Sequence, residues 1–288
     1  MWNCVKNKVQ NSPALFYREN LGQRAIDATT FVFLHGNGFS SRVFKAQLTS
    51  AEFADHRVLA FDLPGHGASD AFDANTPYNF ETMGTALLKA FDALSLVNIT
   101  LVGWSLGGHI ALDMLDRSPR IDRAIICGAP PMHRGPLPSL RAYHFTRDML
   151  LASKRQFTQN DAERFEKLCL GQAADGGHVS DLMNVDPAMR ASIAKSVLNG
   201  VNRDQYVLAT TTKKPLLIVH GDADPLVHTA YISNFARSVD YRGQFELIRH
   251  AGHAPFMDQA EAFNRCVLQF AMNSKLQDVE DNKTAKAA

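Results

Sequence analysis

The chain has 288 residues, enough for one substantial core or two small ones. With 45% hydrophobic and 20% charged residues, its composition is that of a folded globular protein and excludes wholesale disorder. Its 30 basic residues nearly balance 29 acidic ones, leaving no charge excess for a nucleic-acid track or a polybasic membrane patch.

Residues 1–16 are polar and lack the continuous apolar stretch of a secretory signal. No segment approaches the ~20 apolar residues that a membrane-spanning helix requires. Cys4, Cys127, Cys169 and Cys266 form no CxxC pair, so reduced thiols and a cytoplasmic location are expected. The 11 histidines show neither HxHxDH nor HExxH spacing, and no metal is expected.

Segments 5–10 and 14–19 flank Asn11-Ser12-Pro13 and predict a hairpin at a sheet edge. Apolar runs at 30–35, 57–61, 99–103, 123–128, 216–220 and 245–249 predict six more strands. Most are near-continuous Val, Ile, Leu and Phe, as in strands covered on both faces. Helical segments are predicted between them at 79–94, 107–116 and 229–238. The alternation implies an α/β fold, a mostly parallel central sheet with helices on both faces. It stops after Pro130, where helices are predicted at 140–152, 161–170 and 187–198. The expected organisation is a core of residues 1–130 and 207–274, a helical lid of 131–206 inserted after the sixth strand, and a flexible tail at 275–288.

The strand at 99–103 runs into Gly103-Trp104-Ser105-Leu106-Gly107-Gly108, a G-x-S-x-G sequence with a helical segment after it. A serine at so tight a strand-to-helix turn is expected in a strained conformation with Oγ above the sheet. Gly103 and Gly107 stand where side chains would collide across the turn. The following helix turns its N-terminal N–H groups towards the reacting centre.

A serine nucleophile needs a base, and the base needs an orienting group. The strand at 216–220 ends in Gly221-Asp222-Ala223-Asp224-Pro225, and the next ends in His250-Ala251-Gly252-His253-Ala254-Pro255. Ser105, Asp224 and His253 therefore follow successive strands at the sheet edge where α/β proteins build their sites. Asp222 stands as the alternative acid and His250 as the alternative base. Pro225 suits a turn that projects Asp224 inward, and Gly252 gives the His253 loop freedom. For the oxyanion hole, the amide of Leu106 supplies one donor and that of Asn37, after the strand at 30–35, the second, with Gly38 as the alternative. His35 is expected to brace this loop, and His66, Asp62 and Ser69 to be structural.

Four segments resemble the α/β-hydrolase superfamily in order and spacing: Leu34-His35-Gly36-Asn37-Gly38, Asp62-Leu63-Pro64-Gly65-His66-Gly67-Ala68-Ser69, Gly103 to Gly108, and Ala251-Gly252-His253-Ala254-Pro255-Phe256. The resemblance implies hydrolysis of a small-molecule carboxylic ester or lactone through an acyl-enzyme intermediate, without a cofactor. Serine at position 105 departs from the haloalkane dehalogenases and epoxide hydrolases of this fold, which carry aspartate there; cofactor-free dioxygenases remain a minor alternative. Gly103-Trp104-Ser105-Leu106-Gly107-Gly108-His109-Ile110-Ala111 with Gly128-Ala129-Pro130-Pro131 resembles some small esterases and serine-dependent acyl-homoserine lactonases. A non-catalytic ligand receptor on the same scaffold is the alternative from another class. Gly38, Trp104, Phe145 and Met149 are expected to contact substrate, with Phe157 and Phe165 as further candidates. Arg134, Arg141, Arg147, Lys154 and Arg155 are expected to form a solvated basic face of the lid.

Overall fold

Among the described residues, eight strands carry the predicted hairpin and the six apolar runs: β1 (Asn3–Asn7), β2 (Leu15–Glu19), β3 (Thr30–Leu34), β4 (Arg57–Phe61), β5 (Ile99–Trp104), β6 (Ile121–Cys127), β7 (Leu216–Gly221) and β8 (Gln244–Ile248). The computed structural model describes residues 3–7, 12–20 and 29–287, of which 3–7 and 274–287 are described as backbone only. The strands form one sheet in the order β1-β2-β4-β3-β5-β6-β7-β8. β1 and β2 form an antiparallel pair, β2 runs antiparallel to β4, and every pairing from β4 to β8 is parallel. The hairpin strand β1 begins two residues earlier than expected, and residues 8–11 of its turn lie outside the described residues.

The α-helices among the described residues are, in chain order, α1 (Lys45–Thr49), α2 (Phe80–Ala93), α3 (Leu106–Met114), α4 (Pro136–Ala142), α5 (Gln159–Leu170), α6 (Val179–Met183), α7 (Met189–Leu198), α8 (Gln205–Thr211), α9 (Thr229–Ala236), α10 (Pro255–Asp258) and α11 (Ala260–Ala287). Alternation along the central strands supplies two cores. Val32, Leu34, Leu59, Leu101 and Ile126 face Met83 and Leu87 of α2 and Ile110 of α3. Phe31, Phe33, Val58, Val102 and Val219 face Leu48 of α1 and Phe263 and Val267 of α11. β3 and β5 are buried along their whole length, in keeping with their near-continuous apolar sequences. Helix α2 starts where the Asn79 side chain accepts a hydrogen bond from the Thr82 amide and the Thr82 hydroxyl oxygen accepts one from the Asn79 amide.

The segment between β6 and β7 is largely helical, with one correction. Residues 140–152 do not form a helix. α4 begins earlier, with Gly135 at φ 99° and Pro136 in its first turn, and ends at Ala142. Tyr143 then turns extended and forms a β-bridge with Val227. The His144 amide donates to the Leu226 carbonyl at 2.8 Å and the His228 amide to the Ala142 carbonyl at 2.9 Å. These backbone partners on the loop after β7 replace the helical ones, and helical geometry resumes only as a short 3-10 turn at Met149–Ser153. Residues 275–287, expected as a tail, continue the backbone of α11. Among the described residues, no helix is long and apolar enough to cross a membrane.

Candidate active site

Register brings the site loops together. Leu34 at the end of β3 pairs with Gly103 of β5, so the loop from His35 runs beside the turn that carries Ser105. Ser105 has φ 53° and ψ −117°, a conformation that is costly for a residue with a Cβ. Its amide donates to the Cys127 carbonyl at 2.7 Å, and its carbonyl accepts from the Gly108 and His109 amides. The two flanking glycines answer to different neighbours. A Cβ on Gly103 would lie 2.3 Å from the Gly107 carbonyl oxygen, across the turn; one on Gly107 would lie 2.2 Å from the Leu34 carbonyl oxygen, on the adjacent strand.

His253 and Asp224 meet behind the serine turn. His253 Nδ1 donates to Asp224 Oδ2 at 2.9 Å, and both side chains are buried. Asp224 Oδ1 accepts from the amides of Leu226 at 2.8 Å and Val227 at 3.0 Å, which fixes the carboxylate plane. Burial alone would raise the Asp224 carboxyl. The charge and hydrogen bond of His253, with His220 and the Leu226 amide, outweigh it and hold the group below the ordinary carboxylate value. Asp222 is exposed; His250 is also exposed and sits at φ 57°. His253 Nε2 is buried without a hydrogen-bond partner, and His253 lines the same cavity as Ser105. Trp104 Nε1 donates to the His253 carbonyl at 2.7 Å and ties the loop after β8 to the serine turn.

On the β3 side, His35 braces its loop as expected. Its Nδ1 donates to the Gly36 carbonyl at 2.8 Å and its Nε2 accepts from the Leu63 amide at 2.9 Å. His66 Nδ1 donates to the Pro64 carbonyl, and both Asp62 carboxylate oxygens accept backbone amides, from Ser41 and Ala68. Gly36 packs so tightly that a Cβ there would come within 3.2 Å of Ser105 Cβ. Asn37 lines the cavity; its Nδ2 donates to the Ala152 carbonyl at 2.9 Å, and its buried Oδ1 has no partner. Leu106 opens α3, where helix geometry leaves its amide without an intrahelical acceptor. Gly38 does not reach the cavity. At φ 86° it faces Arg190 and Leu182 of the lid, and a Cβ there would lie 2.6 Å from the guanidinium.

The cavity has a volume of about 290 Å3, and its walls are mainly apolar. Trp104, Phe145 and Met149 line it, as does Phe165; Phe157 instead packs against Phe165 and beneath the Arg190 guanidinium. The basic side chains Arg134, Arg141, Arg147, Lys154 and Arg155 are exposed. Three polar residues were not anticipated from the sequence. His109, one helical turn beyond Ser105, hydrogen-bonds through Nδ1 to Gln205 Oε1 at 2.6 Å and through Nε2 to the Tyr143 hydroxyl at 2.7 Å. Phe80 stacks on its ring at 5.3 Å. Burial pushes His109 down to about 4 against the opposing pull of the Gln205 hydrogen bond. Spacing places His109 on the Ser105 face of α3, which is the signal that points to it; nothing in the sequence links it to Tyr143 or Gln205.

Residues 31–265 match the alpha/beta hydrolase family. The AB hydrolase superfamily protein YisY of Bacillus subtilis (strain 168) is 25% identical over 258 residues, which span 83% of this chain and 90% of that protein. The pimeloyl-[acyl-carrier protein] methyl ester esterase of Vibrio cholerae is 29% identical over 256 residues, 83% of this chain and 93% of the esterase. Among solved structures, a variant of the N-acyl homoserine lactonase AidH complexed with N-hexanoyl homoserine aligns with a TM-score of 0.87 at 26% identity, covering 95% of this chain and 97% of that one. An esterase from Rhodococcus sp. ECU1013 shares the fold, with a TM-score of 0.75 at 22% identity over 94% of this chain and 98% of its own.

Proposed function

This chain belongs to the alpha/beta hydrolase family, and we propose that it is a serine hydrolase that cleaves a carboxylic ester or lactone of a small molecule through an acyl-enzyme intermediate. The observation that carries this reading is the unpaired, buried Nε2 of His253. Its ring is anchored through Nδ1 to Asp224, and it faces a cavity shared with a serine held at positive φ.

In this mechanism Ser105 Oγ attacks the substrate carbonyl carbon while His253 Nε2 takes the hydroxyl proton. The carbonyl oxygen becomes an oxyanion facing the amides of Leu106 and Asn37. As the C–O bond to the leaving alcohol breaks, His253 returns the proton to the alcohol oxygen; in a lactone that alcohol stays tethered to the acyl group. Water then attacks the acyl-serine ester with His253 again as base, releasing the carboxylic acid and restoring Ser105. Asp224 holds the imidazole with Nδ1 protonated and favours the imidazolium formed in each half-reaction. These steps need no metal or organic cofactor.

A lactone is favoured over an open ester by the likeness to AidH, which extends along nearly the whole of both chains. The likeness to the pimeloyl-[acyl-carrier protein] methyl ester esterases supports an open ester. Hydrolysis rates for p-nitrophenyl esters of short and long acyl chains, beside N-acyl homoserine lactones, test the proposal. Turnover of at least one class that is lost in Ser105→Ala supports it. A folded protein inert towards all of them favours a non-catalytic receptor.

A further inference from the structure

At the wall of the mainly apolar cavity, one hydrogen-bond chain runs from a backbone carbonyl to a phenol, and its direction is fixed from one end. Gln205 Nε2 donates to the His109 carbonyl at 2.8 Å. That carbonyl can only accept, so the amide cannot be reversed and Gln205 Oε1 must face His109 Nδ1. Nδ1 therefore carries the imidazole proton, and Nε2 is an acceptor at 2.7 Å from the Tyr143 hydroxyl. Tyr143 must spend its single proton on His109. What its oxygen has left is acceptor capacity alone.

The surroundings hold this arrangement in one state. Phe80 stacks almost parallel on the His109 ring, at an interplanar angle of 6°. The backbone of Tyr143 is pinned by its bridge to Val227, three residues from Asp224, so the phenol is set from the same loop that carries the proposed acid. Burial, and then the nearby Asp224 charge, push the phenol above its ordinary range, and burial keeps His109 neutral at physiological pH. The chain does not reverse by titration. Across the cavity, Asn37 is likewise turned so that its Nδ2 is used by Ala152 and its oxygen is left unpaired.

We propose that Tyr143 is a specificity-determining residue whose hydroxyl oxygen accepts a hydrogen bond from substrate, with His109 and Gln205 as positioning residues that keep it an acceptor. The substrate class this selects is an ester or lactone bearing an amide N–H or hydroxyl donor close to the scissile carbonyl. Plain alkyl esters lack such a donor. A site built to pair a donor discriminates against analogues without one, because its own polar atom is then left dry and unpaired. The inference rests on the serine-hydrolase reading given above.

The test compares N-hexanoyl homoserine lactone with its carba analogue, in which CH2 replaces the amide N–H, in wild type and Tyr143→Phe. The readout is the ratio of kcat/KM for the two lactones. In wild type the ratio is expected to favour the amide by about three- to tenfold or more, the usual worth of one neutral hydrogen bond. In Tyr143→Phe it is expected to fall to near one. Gln205→Leu, which frees the imidazole to change tautomer and releases the Tyr143 proton, is expected to reduce the ratio as well. A wild-type ratio near one, or a ratio that survives in a folded Tyr143→Phe, overturns the assignment while leaving Ser105 chemistry standing. If wild type opens neither lactone and Ser105 also resists a fluorophosphonate, the hydrolase reading fails and this inference fails with it.

Discussion

Asp224 Oδ2 accepts the Nδ1 proton of His253 at 2.9 Å, while the other carboxylate oxygen of Asp224 is tied to two backbone amides. The carboxylate therefore cannot turn away from the imidazole without losing three hydrogen bonds in a buried site. Asp224→Asn keeps the shape but can present an N–H where an acceptor is required, favouring the wrong tautomer of His253. We expect kcat/KM to fall on the order of 10^4-fold. Asp222→Asn, at an exposed side chain two residues away, is expected to change it less than about twofold. Steady-state kinetics on both variants check this, and equal losses contradict it.

Trp104 Nε1 hydrogen-bonds the His253 carbonyl at 2.7 Å from within the serine turn. Trp104→Phe leaves that buried carbonyl without its donor, at a cost of about 1–3 kcal/mol, and loosens the loop that holds the base. Reduced thermal stability together with a lowered kcat is the expected outcome. Unchanged kcat would mean that the His253 loop does not depend on this bond.

Glycine at 103 and 107 is required by backbone that cannot move aside. A Cβ there would lie within 2.3 Å of a carbonyl oxygen in each case. Gly103→Ala and Gly107→Ala are each expected to destabilise the fold by about 3 kcal/mol or more. Gly176 is at φ 81° but has open space where a Cβ would go. Gly176→Ala should therefore cost only the backbone strain, about 1–2 kcal/mol. Denaturant midpoints for the three variants separate clash from strain.

Acid should unfold the protein in a defined window. Burial holds His35, His66, His109 and His220 below the ordinary imidazole value, His109 at about 4. Below about pH 6.5 the unfolded chain takes up protons that these folded imidazoles refuse. Stability is therefore fully present above about pH 6.5 and is lost as pH falls towards 4. The His109 share alone is about 3 kcal/mol. Asp224 adds a second loss at lower pH, because its depressed carboxyl contributes stability above about pH 4 that disappears on protonation. Unfolding free energies at several pH values from 8 to 4.5 check the first window; a flat profile contradicts it.

Most of the architecture is legible in the sequence because the strands are buried on both faces. β3 and β5, five and six residues long, are apolar apart from Thr30, Thr100 and Gly103, and all their residues are buried. The site loops were placed by the residues that follow such runs, and Ser105, Asn37, Asp224 and His253 do come to one sheet edge. The lid was less legible because apolar residues there serve two purposes. The apolar content of 140–152 reads as a helix, yet Phe145 and Leu150 are exposed at the cavity and the backbone breaks at Tyr143. The break comes from pairing with Leu226 and Val227, residues more than 80 positions away. No local pattern encodes that contact. The surroundings of Gly38 were illegible for a related reason: its positive φ suits a loop at the site, and the space beside it is filled by Arg190 from the lid.

The most direct test of the account is stoichiometric labelling at Ser105. Intact-protein mass spectrometry after treatment with a fluorophosphonate should show one adduct per chain, mapped to Ser105 and absent in Ser105→Ala. The rate of labelling should fall sharply in Asp224→Asn, which impairs the base without touching the serine. A folded wild-type protein that takes up no label, or a label that persists in Ser105→Ala, would contradict the assignment of Ser105 as an activated nucleophile.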